Sequence, residues 1–144
     1  MTTIERFAAL YARMALGSAF LSAVAARFGL WHDRGPHPFA QFIQYTAEVN
    51  SFLPGSFAPL LAVAATIAET TLGILLIAGV TLRWTGLAGA ILLALFGTAM
   101  AISGGVKSAF DASVFSASAA ALLLSVISER AERKANGQRA HPHA

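Results

Sequence analysis

The chain has 144 residues, 56% of them hydrophobic and only 12% charged, with a formal net charge of +3 and no cysteine. So few charges cannot solvate a globule of this size; apolar surface must face lipid, and there is room for one domain. The scattered basic residues argue against a nucleic-acid surface, and the missing thiols exclude disulfides, CxxC redox pairs and iron–sulfur ligation by this chain alone.

The first apolar run, residues 7 to 27, is interrupted by Arg13. Thr3 is placed to cap it, with Glu5 in the first turn where the helix dipole favours an acid. Ala23-Val24-Ala25 also imitates a signal-peptide cleavage site, and cleavage would remove this helix. Retention is favoured, because a basic residue sits inside the run and the following sequence stays membrane-like. Residues 28 to 38, with Trp31, prolines and glycines, read as an interfacial loop. Phe39, Phe42, Ile43, Thr46, Val49 and Leu53 then fall at helical spacing in a segment too short and too polar to span. A surface helix fits it, packing at the interface or forming a lid over the bundle mouth.

Residues 57 to 80 form the central run, with Glu69 as its single charge. A carboxylate at that depth costs about 2.5–3.5 kcal/mol on insertion scales, so a partner or a task is expected for it. A tight turn leads to an uncharged run, 84 to 103, in which Gly86, Gly89 and Ala90 allow close helix packing. Gly104-Gly105 breaks it, and the last run, 109 to 128, carries serines suited to bonding within or between helices. The expected fold is therefore all-α: an integral membrane four-helix bundle, with a short interfacial helix between the first two spans. One membrane domain covers 1 to 136, and 137 to 144 form a flexible polar tail.

Four spans put both termini on one side. Arg6, Arg83, Arg130, Arg133, Lys134 and Arg139 fall there, against Arg27, Arg34 and Lys107 opposite. The excess predicts cytoplasmic termini in a bacterial inner membrane.

Arg13 and Glu69 are the charges well inside the apolar runs, and they are the expected intramembrane pair or ligand pocket. From the cytoplasmic boundary Arg13 lies ~9 Å deep and Glu69 ~16 Å deep. Both side chains lean towards their own N-termini, which separates the heads on antiparallel helices, so the long arginine must close the gap. Alternatively Arg13 snorkels to the cytoplasmic face, leaving Glu69 to a proton, a serine or a ligand. At the outer face Arg27 and Asp111 form a second candidate pair, competing with the local Lys107–Asp111 contact. His32, His37, His141 and His143 all lie outside the spans, which leaves a haem inside the bundle unsupported. No metal centre is expected, His141 and His143 being a weak tract on a flexible end. No residue is assigned a catalytic role.

Three segments, RMALGSAFLSAVAARFGLW (13 to 31), Glu69-x3-Gly73-x-Leu75-Leu76-x2-Gly79-x3-Arg83, and SVFSASAAALLL (113 to 124), resemble the DoxX family of small bacterial membrane proteins. The resemblance implies a four-helix bundle; some relatives are DoxD-like membrane subunits of thiosulfate:quinone oxidoreductase or belong to membrane oxidoreductase complexes. Carried over, Glu69 and Arg83 match the second segment and Arg13 the first-helix position. The leading expectation is a non-autonomous membrane subunit of a redox complex. It would offer quinone or a partner protein a lipid-embedded site at Arg13 and Glu69, with Phe20, Trp31 and Phe115 as apolar walls. A proton-coupled carrier of a small solute, titrating at Glu69, is the alternative, and a non-catalytic scaffold the third. No covalently held cofactor is expected. The lipid bilayer is the first partner, with a redox protein and a second copy of the chain as further candidates.

Overall fold

The computed structural model describes residues 2–31 and 37–140, with side chains through residue 137. His32, Arg34, the Arg139 side chain and the tail histidines, His141 and His143, lie outside the described residues. The described chain is all helix and turn, in the order α1 (Thr3–Arg27), α2 (Pro38–Val49), a single 3-10 turn (Gly55–Phe57), α3 (Ala58–Ala78), α4 (Leu82–Gly104), α5 (Val106–Asp111) and α6 (Val114–Ala140). Four segments are long and apolar enough to cross a bilayer: Thr3–Arg27, Gly55–Ala78, Leu82–Gly104 and Val114–Gly137. The protein is a membrane helical bundle, and α2 is the short helix between the first two spans.

Three boundaries differ from expectation. The cap of α1 is Thr2, not Thr3: its hydroxyl accepts from the Glu5 N–H while the Glu5 carboxylate accepts from the Thr2 N–H. That reciprocal pairing needs a spacing of three residues, which Thr2 and Glu5 provide. The last run does not start as one helix at Ala109. It divides into α5 and α6 at Ser113, whose φ of 54° is incompatible with a continuous right-handed helix. At its other end α6 continues to Ala140, past the point where a loose tail was expected.

The bundle is two tight antiparallel pairs. In the first, α1 lies on α3 with Gly17 against Gly73. A Cβ on Gly73 would meet Leu21 Cγ at 2.8 Å and the Gly17 carbonyl at 3.2 Å. In the second, α4 lies on α6. A Cβ on Gly86 would stand 2.9 Å from the Ala121 carbonyl, so only glycine lets the backbones approach this closely. Serines fasten that seam: Ser125 donates to the Arg83 carbonyl (2.6 Å) and Ser118 to the Ala90 carbonyl (2.8 Å). Leu16, Phe20, Leu72, Leu76, Ala90, Ala121 and Leu124 meet between the pairs as the core. The start of α1 and the end of α6 therefore lie at the same end of the bundle.

At the opposite end α2 packs across α3 and α4. Ser103 donates to the Val49 carbonyl (2.9 Å), Ser51 donates to Ser103 (3.1 Å), and Phe28 stacks on Phe39. Trp31 turns back so that its indole N–H donates to the Ser22 carbonyl (3.1 Å). An amphipathic indole held there marks the interfacial level of this end.

Candidate functional site

Glu69 is buried and its partner is Arg27, not Arg13. Arg27 Nη2 lies 2.6 Å from Glu69 Oε2, both side chains being less than a tenth exposed. Helix register explains the choice. Counting from the Gly17–Gly73 contact, the Arg27 backbone lies ~9 Å beyond Glu69 along the pair, and the Arg13 backbone ~12 Å to the other side. Side chains lean towards their helix N-termini, so on antiparallel helices Arg27 and Glu69 lean towards each other, while Arg13 and Glu69 lean apart. Direction decides this more than distance.

Arg13 instead lies over Gly79, the left-handed C-cap of α3, so closely that a Cβ there would overlap Nη1. A guanidinium suits that position because the unpaired carbonyls of a helix C-terminus carry partial negative charge. The expected Arg27–Asp111 pair does not form either. Arg27 points into the bundle, and Asp111, on exposed α5, pairs with Lys107. At the terminal end Glu129 bridges Arg133 (2.6 Å) and Arg83 (3.3 Å).

Three groups hold the Arg27 guanidinium. Besides Glu69, Nη1 donates to the Thr66 hydroxyl (3.0 Å), which itself donates to the Ala62 carbonyl (2.8 Å). The Phe42 ring of α2 covers the cation, 3.7 Å from its carbon to the ring centroid. A buried ion pair offsets its desolvation only when such additional contacts satisfy it. Glu69 Oε2 is sealed against the guanidinium, held by charge without a well-directed N–H.

Beside this pair lies a cavity of about 530 Å³ between α2, α3 and α4. Arg27, Glu69, Thr46, Asn50 and Tyr45 bring its polar atoms. The remaining lining is aliphatic or aromatic, including Ala65, Ala68, Phe96 and Met100. Alanines on α3 leave the space. Leu95, 62% exposed in the middle of α4, and the exposed Ala64 stand at the rim, so the cavity opens where the bundle faces hydrocarbon. Phe20, Trp31 and Phe115 are not its walls. Phe20 is in the core beside Gly89, Trp31 covers the end of α1, and Phe115 packs edge-on to Phe110 and against Gly97. Phe42, Tyr45 and Phe96 take that role, and only the folding of α2 onto α3 and α4 brings the first two there. Among the described residues no group of histidines and acids is arranged to hold a metal ion.

Fold and site together define a multi-pass helical membrane protein with a lipid-facing cavity closed by a buried ion pair. The family model for the methylamine utilisation protein MauE matches residues 5–113, and the chain belongs to that family. No curated protein and no solved structure matches it. The MauE match overturns the DoxX resemblance. The segment that carried the resemblance consists of residues any tightly packed bundle needs: Gly73 admits α1, and Gly79, with φ 74°, ends α3. The matched span contains Arg27, Phe42, Thr66 and Glu69 and stops at the break before α6.

Proposed function

We propose that this protein is the membrane subunit of a redox complex and seats a quinone in the α2–α3–α4 cavity. The observation that carries the reading is the Arg27–Glu69 pair at the polar end of a cavity that is otherwise apolar and open on a lipid-facing side. As a pair the two charges sum to zero, so the complementary head is neutral. Guanidinium N–H groups serve a quinone carbonyl, and the Glu69 carboxylate serves a quinol hydroxyl. A phosphate or fatty-acid head would add an uncompensated negative charge beside Glu69. The apolar tail leaves past Leu95 into the bilayer. The matched family is named for methylamine utilisation, and a membrane subunit of a redox complex is compatible with that name.

Mass spectrometry of protein extracted in mild detergent, or excised with native lipid, tests this. The expected result is quinone enriched over bulk lipid in the wild type. Ala68→Phe, which fills the cavity and leaves both charged residues in the chain, should lose it while its melting curve is retained. Wild-type protein carrying no quinone above the level in bulk lipid would end the proposal.

We also propose, from the distribution of basic residues, that both termini lie in the cytoplasm. Among described residues Arg6, Arg83, Arg130, Arg133 and Lys134 fall at the terminal end. At the other end are Lys107 and Arg27, whose charge Glu69 neutralises. A C-terminal reporter that fluoresces only in the cytoplasm should be bright; a dark fusion of inserted protein would reverse the orientation.

A further inference from the structure

Arg27, Phe42 and Tyr45 line two cavities, not one. Besides the large one, a smaller cavity of about 270 Å³ lies against the same three side chains and Ala23 of α1. Its surroundings differ in kind. Among the described residues none of α3 or α4 lines it, and a guanidinium and a phenol are two of the four that do. It also sits at interfacial depth: Ala23 neighbours Ser22, whose carbonyl receives the Trp31 indole N–H. The volume holds several waters at ~30 Å³ each, and the polar atoms needed to bind them are present. The Tyr45 hydroxyl makes no hydrogen bond within the described protein, so it is free to serve such water.

We infer that the smaller cavity is a water-filled vestibule open to the aqueous phase beyond α2, and that the Arg27–Phe42 stack is the septum keeping its water out of the lipid-facing cavity. The guanidinium then has one face towards water and its polar edge towards Glu69. A ring lying 3.7 Å over that cation leaves no room for water between them. Its place in the fold gives this septum a use: a head group held at Glu69 is one side chain away from the aqueous phase with which it must exchange protons.

Because the chain has no cysteine, single substitutions report water access directly. A thiol reacts with a membrane-impermeant maleimide as its thiolate, which forms only in contact with water. The contrast between a wet and a dry position is on the order of tenfold or more in rate. Ala23→Cys should label quickly and Ala65→Cys, in the large cavity, slowly. Adding Phe42→Ala should raise the rate at position 65 about tenfold, whereas Phe42→Leu, which keeps an apolar plug, should raise it less. An unreactive position 23 would show that lipid fills the vestibule and overturn the inference. Equal rates at positions 23 and 65 in the otherwise unaltered chain would show that no septum exists, a result that needs no Phe42 variant to fold. None of these readouts requires quinone, so failure here and failure of the quinone reading are told apart.

Discussion

Arg27→Gln should destabilise the protein by about 3–5 kcal/mol, because it leaves the Glu69 carboxylate buried without its cation. Glu69→Gln should also destabilise, stranding the guanidinium between Thr66 and Phe42. The double replacement Arg27→Met, Glu69→Met should recover much of the loss, since exchanging a buried pair for apolar side chains of similar volume is often neutral or favourable. Equilibrium unfolding in mixed micelles measures all three, and the cycle yields the coupling energy. Arg13→Gln is the discriminating control. Its guanidinium interacts with the end of α3, worth about 0.3–1 kcal/mol, and should show no coupling to Glu69. Coupling of Glu69 to Arg13 rather than Arg27 would contradict the register of α1 on α3. The double variant separates function from stability as well: it should fold and yet carry no quinone.

Gly73→Val should cost about 1–3 kcal/mol through overpacking, because the new side chain would occupy the place of Leu21 and press on the Gly17 backbone. Its second effect falls on the site. Relief of the clash moves α1 away from α3, and with it the helix that delivers Arg27 to Glu69. Reduced quinone retention should therefore accompany the lower unfolding free energy. Gly55→Ala, where a Cβ meets nothing within 4 Å, should stay within about 0.5 kcal/mol of wild type. If the Gly73 variant kept both stability and ligand, helix approach at this contact would not be what positions the pair.

Residue type alone singled out Glu69, and the same signal pointed to Arg13 because both interrupt apolar runs. That reasoning weighs depth, and depth misled. Arg27 ends its helix and reads as an interfacial cation, yet its side chain turns inward and is buried. The available signal was the lean of side chains towards helix N-termini. Applied to every cation near the run, it excludes Arg13 and selects Arg27. Phe20 and Phe115 show a related difficulty. An aromatic on an apolar helix carries no mark of whether it faces core, cavity or lipid, because all three are apolar. Phe42 and Tyr45 were legible only as parts of an interfacial helix; their approach to the site depends on where α2 folds back.

The spans, the turn and glycine breaks between them and the presence of a costly acid were determined by the sequence itself. Each is a local property: twenty or so apolar residues in lipid must satisfy their own backbone, and a helix does so without help from elsewhere in the chain. Which cation meets the acid, which aromatics cover it and where space remains were decided by the tertiary structure. Those outcomes follow from the register of one helix on another and the path of a connecting segment. Both are set by close contacts such as Gly17 on Gly73, between residues far apart in the chain.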